Sequence, residues 1–282
     1  MTLLAFLQAA VPAVAFLLML AVGLDLTRQD LARVGSDRRT IVLATIAQAV
    51  LLPASAIVLS GGLPAQSLLA EYLLLTAACP GGGMSNVYVY LARADTALSV
   101  TLTALSCLLA VFTMPLVTLA YEAALGRAMG FALPLPTLLG QLLIMAIIPI
   151  GLGAFIRDRW PAVERRHGGR LRGLSAAGVV AVVIMGLVQS ASDLEVTLVP
   201  GALAAAGLVI AGMGLGWLCG AALRLERSRR FTLLVEFAVR NLAIAMVIEV
   251  TLLGHPDFIA FGAVALLAQA SLLFVAVLGW RR

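Results

Sequence analysis

Along this chain, apolar stretches of about 20 residues alternate with short polar segments, and a stretch of that length crosses a bilayer's hydrocarbon core as a helix. Nine of them, roughly 3–24, 40–60, 67–92, 96–120, 135–156, 173–191, 198–223, 229–252 and 257–279, predict an all-α integral membrane protein with nine transmembrane helices. Two stretches are flawed as helices. The third holds "ACPGGGMSN" at 78–86, where Pro80 removes a backbone donor and Gly81 to Gly83 loosen the chain. The eighth holds Glu236 and Arg240 well inside its apolar run. Lipid cannot satisfy backbone groups freed by a break, so a broken helix predicts that protein or a polar cavity does so. The two flawed spans occupy comparable places in the two halves of the chain. That pairing predicts inverted repeats, four spans plus five, about 1–124 and about 135–282, within one transmembrane domain over 1–282.

Composition agrees with a lipid environment: 62% of residues are hydrophobic, 12% are charged, and the mean hydropathy is +1.07. The first apolar stretch lacks a basic leader and a small-residue cleavage site, so it is expected to be a retained helix, and no lipidation signal is expected at either end. All 19 basic residues are arginine. Counted by alternating loops, 17 fall on one side, only Arg127 falls on the other, and Arg240 lies within a span. The positive-inside rule then places the N-terminus outside and the C-terminus in the cytoplasm of a multi-pass protein of the cell's inner (plasma) membrane. The longest cytoplasmic connection, "RDRWPAVERRHGGRLRG" at 157–173, is expected to be a solvated loop.

A sequence pI near 9.7 invites a nucleic-acid partner, but the arginines lie beside apolar spans and not on a soluble domain, so none is expected. The absence of lysine removes Walker A, Schiff-base and Ser–Lys chemistry. His167 and His255 are expected in loops on opposite faces, where they cannot share a metal. Cys79, Cys107 and Cys219 lie far apart in apolar spans and are expected to be small packing residues. Gly212, Gly216 and Gly220 repeat every fourth residue, a pattern of close helix packing. Glu71 and Glu249 fall near predicted span ends and are expected at the interface. Met84 and Pro115 are assigned to local shape.

Near the first break, Ser85, Asn86, Ser99 and Thr103 supply neutral oxygens, with Ser99 and Thr103 on one helix face. Glu236 adds a formal charge inside the membrane, where an ionisable residue is a functional candidate by default. Hard oxygen donors without a carboxylate cluster suit a monovalent cation, and sodium is the natural choice. Taken singly, each hydroxyl is more often a packing group, and Glu236 with Arg240 four residues on also reads as an internal salt bridge.

The chain resembles the bile acid:sodium symporter family over nearly its whole length, through "CPGGGMSN" at 79–86, "ALSVTLTALS" at 97–106, "EFAVRN" at 236–241, and Gln48 before Pro53 in "AQAVLLP". The resemblance implies two discontinuous helices crossing near the midplane, with a panel domain moving against a core domain. It implies a first sodium site of Ser85, Asn86, Ser99, Thr103 and Glu236, all present. It implies a second site of Gln48, Glu236 and a glutamine at the position where this chain has Arg240. A guanidinium has donors and no acceptor lone pair, so its side chain is expected to occupy that second site as a tethered cation. Substrate positions implied by the family are Gly83, Met84 and Asn241. Many members carry a hydroxyl residue where this chain has Gly83, so a wider pocket is expected here.

The function implied is secondary active transport of a small organic anion, a carboxylate, with Na+ at one intact site and no organic cofactor. The implied partners are that anion and the lipid bilayer, with oligomeric state left open. Alternatives are sodium-independent or proton-coupled transport of an organic anion, and a non-transporting membrane receptor. An enzyme is not expected, because no nucleophile and base are paired in the sequence.

Overall fold

In a computed structural model, the protein is described over residues 3–29, 32, 37–63, 67–125, 135–189, 194–255 and 257–281. Most of the described residues are helical, and the only bridge of β type among them is between Gly81 and Arg240. In chain order the helices are α1 (Leu3–Asp25), α2 (Arg38–Ser60), α3 (Leu68–Ala78), α4 (Met84–Leu91), α5 (Thr96–Leu125), α6 (Leu135–Leu142), α7 (Ile148–Arg159), α8 (Pro161–Gln189), α9 (Leu194–Ala222), α10 (Arg227–Ala238), α11 (Leu242–Val247) and α12 (Phe258–Trp280). A π-helical turn, Leu143–Ile147, joins α6 to α7, and a second, Ile248–Leu253, extends α11.

Among the described residues, six helical segments are long and apolar enough to cross a membrane: Arg38–Ser60, Thr96–Val117, Pro136–Arg159, Pro161–Met185, Val199–Ala222 and Phe258–Trp280. Ala9–Asp25, Leu68–Ala78 and Leu242–Leu253 are shorter apolar helices. Many large side chains on the long helices are exposed, such as Val58, Phe112, Leu203 and Val275, as a lipid-facing exterior requires.

The predicted break at 78–86 is present. Helix α3 stops at Ala78, α4 starts at Met84, and Cys79 to Gly83 run as extended or turning chain. The eighth stretch is broken too: α10 ends at Ala238 and α11 begins at Leu242. The two gaps meet antiparallel, with the Gly82 amide donating to the Val239 carbonyl at 3.1 Å and the Asn241 amide to the Pro80 carbonyl at 3.0 Å. A side chain at Gly82 would bring its Cβ to 2.9 Å from the Arg240 carbonyl oxygen, so only glycine permits this approach. Each break supplies partners for the other.

Helix α9 packs along α10 through the predicted glycine face. A Cβ on Gly212 would lie 2.7 Å from the Phe237 carbonyl oxygen, one on Gly220 3.0 Å from the Arg230 Cα, and one on Gly216 closer still to the Leu233 carbonyl. Helix α1 packs on α7 and α8.

Two expectations are corrected, and a third falls outside the described residues. The arginine-rich segment 157–173 is not a loop: α7 runs to Arg159 and α8 starts at Pro161, so His167 is helical. Part of its charge is paired, with Arg157 3.0 Å from Glu164, Arg172 2.6 Å from Asp25 and 2.9 Å from Glu164, and Asp158 paired with Arg28. Glu71 and Glu249 are not interfacial: they are 5% and 0% exposed, because the half-helices that carry them sit inside the bundle. The single arginine assigned to the opposite side, Arg127, lies outside the described residues, as do Arg33 and Arg282.

Candidate functional site

The crossing organises the polar groups. Beyond the two exchanged bonds, the Gly81 amide donates to Ser106 Oγ at 3.0 Å, and the Arg240 amide donates to Gln269 Oε1 at 3.1 Å. Side chains of α5 and α12 thus complete what the half-helices leave open, which is how non-helical backbone is tolerated at membrane depth.

Glu236, on the last turn of α10, is completely buried. Its Oε1 accepts hydrogen bonds from Ser85 Oγ at 2.5 Å, from Thr103 Oγ1 at 3.2 Å and from Ser99 Oγ, while Thr103 Oγ1 also lies 3.1 Å from Oε2. Ser99 Oγ is 2.8 Å from Asn86 Oδ1, and Asn86 Nδ2 is buried without a partner. The four-residue spacing of Ser99 and Thr103 does put both on one face of α5, aimed at the carboxylate. All five residues of the first predicted set are therefore contiguous. Gly81 closes the nest, since a Cβ there would lie 3.2 Å from Glu236 Oε2.

Of the second set, Gln48 on α2 is buried, and both its side-chain nitrogen and oxygen lack partners. Arg240 is 6% exposed and does not pair with Glu236. Its Nη2 donates to the Cys79 carbonyl instead, while Nε and Nη1 have no hydrogen-bond partner. Gln48, Thr45, Ser106 and Arg240 line one small cavity, room for about a single water, so the guanidinium reaches the side of the crossing where Gln48 lies. The internal salt bridge between Glu236 and Arg240 is absent.

Gly83, Met84 and Asn241, the third set, line one cavity of about 210 Å³ between α1, α8 and the crossing. Asn241 caps α11, its Oδ1 accepting from the Ile244 amide at 3.2 Å, and its Nδ2 faces Met19 Sδ at 3.3 Å. The wider pocket expected from Gly83 is not found: a Cβ there would sit 2.7 Å from Val22 Cγ2, so α1 fills the volume. Gln269 also lines this cavity and was missed. The signal was present as the single amide in the otherwise apolar run "FGAVALLAQASLLF".

Broken helices that exchange backbone bonds around a buried carboxylate are the arrangement by which polytopic membrane transporters build sites near the midplane. Residues 12–196 match the profile of the Sodium Bile acid symporter family, and the chain belongs to that family. It is 28% identical over 240 residues to "Probable sodium/metabolite cotransporter BASS1, chloroplastic" of Arabidopsis thaliana, covering 84% of this chain and 58% of that protein. It is 27% identical over 203 residues to the "Ileal sodium/bile acid cotransporter" of Homo sapiens, covering 71% and 57%. With "Uncharacterized sodium-dependent transporter YocS" of Bacillus subtilis (strain 168) the identity is 27% over 232 residues, covering 80% and 68%. The matches thus span under three-fifths of the length of the first two relatives. The printed names are those of sodium-coupled transporters, and the family is not one of enzymes.

Proposed function

We propose that the protein is a secondary active transporter that carries a small organic anion together with one sodium ion. Glu236 carries this reading: it is a carboxylate fully buried at membrane depth, ringed by the hydroxyls of Ser85, Ser99 and Thr103, with Asn86 Oδ1 one hydroxyl away. These five oxygen-bearing side chains match the hard, mostly neutral donor set that suits sodium. Sodium binding would turn the hydroxyl lone pairs to the ion and relieve Glu236 of its role as their common acceptor.

Arg240 takes the place of a second sodium. Its guanidinium lines the cavity that Gln48 lines, binds the Cys79 carbonyl, and offers a fixed positive charge where a cation would sit. The anion occupies the cavity bounded by Gly83, Met84 and Asn241, into which Arg240 and Gln269 also reach. The first turn of α4, which starts at Met84 beside that cavity, adds the positive end of a helix dipole. The walls are otherwise apolar, so the anion carries a hydrophobic body. The half-helices, taken as two spans, give nine crossings in inverted repeats of four and five. A panel that includes α1 and α8 moves against a core built around the crossing, and the arginine-rich side faces the cytoplasm.

The test is thermal stability of the purified protein in sodium compared with potassium. Sodium is expected to raise the melting temperature of the wild type and to leave Glu236→Gln and Ser99→Ala unmoved. An equal shift in all three proteins would overturn the sodium site.

A further inference from the structure

A second buried carboxylate lies apart from the one at the crossing. Glu249 sits in the π-helical turn after α11, is 0% exposed, and has no hydrogen-bond partner on either oxygen. No described arginine is within ion-pair distance of it. Its own segment is fixed by the backbone, with the His255 amide donating to the Glu249 carbonyl at 2.9 Å and Gly254 turning left-handed at φ 74°.

The groups around it are acids and hydroxyls. From α3, Glu71 is the charge that acts on it, and Glu71 is itself buried. From the same helix Tyr72 presents a buried hydroxyl without a hydrogen-bond partner. Tyr72 lies close enough to Glu249, Asp257 and Glu71 to feel each of them electrostatically. Asp257 and His255 lie in the connection before α12, Arg240 and Cys79 lie back at the crossing, and α6 brings Gln141 but no titratable group. Glu249 is eight residues beyond Asn241 and Glu71 is nine before Pro80, so at 1.5 Å per residue each lies roughly 12–14 Å from the crossing. That is inside a half-layer of about 15 Å of hydrocarbon.

An ionised carboxylate there would forfeit its hydration with no donor and no cation in return, at a cost of several kcal/mol. Arg240 does not offset it, because its guanidinium donates to the Cys79 carbonyl back at the crossing. The same group carrying a proton is a neutral acid, and burying it costs far less. We propose that Glu249 is a proton-binding site in the membrane half that holds the α2–α3 and α11–α12 connections, separate from the hydroxyl nest at Glu236. The proton exchanges only when water reaches the interface of α3 with α11, so its uptake and release report the opening of that side.

The test is infrared spectroscopy of the whole protein in lipid, which resolves the C=O stretch of a protonated carboxyl from carboxylate bands. At neutral pH the wild type is expected to show a solvent-shielded C=O band that Glu249→Gln removes. Glu249→Asp, which keeps the acid on a shorter arm, is expected to move the band without deleting it. Glu236→Gln and sodium addition are expected to leave it in place, so the outcome is independent of the sodium site proposed above. A wild type with no such band, a band that survives Glu249→Gln, or a band lost on adding sodium would overturn the proposal.

Discussion

Glu236 and Arg240 stand four residues apart across the gap between α10 and α11, yet they do not form an ion pair. The carboxylate turns to the hydroxyls of α4 and α5, and the guanidinium turns to the Cys79 carbonyl beside Gln48. The break makes this separation possible. In a continuous helix the two would share one face and pair; with Val239 extended, the chain direction changes between them and each addresses a different side of the crossing.

If Arg240 substitutes for an ion, replacing it with a neutral amide should create a site. Arg240→Gln is expected to increase the number of sodium ions that bind, seen as a steeper dependence of the melting temperature on sodium concentration than in the wild type. The gain needs Gln48, whose unpartnered amide lines the same cavity, so Arg240→Gln with Gln48→Ala is expected to return to the wild-type slope.

The same substitution changes the electrical character of transport. One sodium with one monovalent anion moves no net charge, whereas two sodium ions with that anion move one charge, worth about 2.3 kcal/mol per 100 mV. In proteoliposomes with an imposed potential, uptake of a monovalent carboxylate by the wild type is expected to be flat with voltage. Uptake by Arg240→Gln is expected to rise by more than tenfold per 100 mV at saturation of that energy, since each 1.4 kcal/mol is a factor of ten. A steep wild-type dependence would count against the single-sodium assignment.

Much of the site was legible because its signals are local. Pro80 and three successive glycines cannot continue a helix, Ser99 and Thr103 share a face by spacing alone, and a carboxylate within an apolar run stands out without any structure. Burial was not legible, because it depends on what packs alongside. Glu71 and Glu249 sit near span ends in sequence, but α3 and α11 are half-helices inside the bundle, so distance from a span end does not measure distance from water. The arginine-rich segment 157–173 is solvated as its charge density implies, but it is helical on both sides of Trp160, with Arg157 and Arg172 paired to Glu164. The direction taken by Arg240 depends on Cys79, which is 161 residues away in sequence.

The glycines of α9 separate packing from flexibility. Gly216 faces the backbone of Leu233, which cannot yield, while Gly214 on the same helix has open space beside its Cα. Gly216→Val is expected to lower stability by about 1–3 kcal/mol through overpacking. Gly214→Ala is expected to be neutral or to stabilise by up to about 1 kcal/mol, the helix-propensity difference. Melting temperatures of the two variants check the pair, and equal losses would show that glycine content, not the α9–α10 contact, sets stability.

Gly83 links the cavity to the movement of α1. Val22 Cγ2 occupies the place a side chain at 83 would take, so α1 is held against the start of α4 by a contact of one methyl group. Adding a hydroxyl residue there displaces α1 unless Val22 gives way. Gly83→Ser is therefore expected to destabilise the protein by about 1–3 kcal/mol, the usual cost of overpacking. Val22→Ala in the same chain removes the opposing methyls and is expected to restore most of that loss. It also places a hydroxyl on the wall of the 210 Å³ cavity, next to Met84 and Asn241. If that cavity holds the anion, the double variant should bind carboxylates with altered preference while its sodium response stays intact, because the groups bonded to Glu236 are Ser85, Ser99 and Thr103 and include neither altered residue. Thermal-shift profiles across a set of carboxylates, with and without sodium, distinguish the outcomes. An unchanged carboxylate profile in a well-folded double variant would move the substrate site away from Gly83.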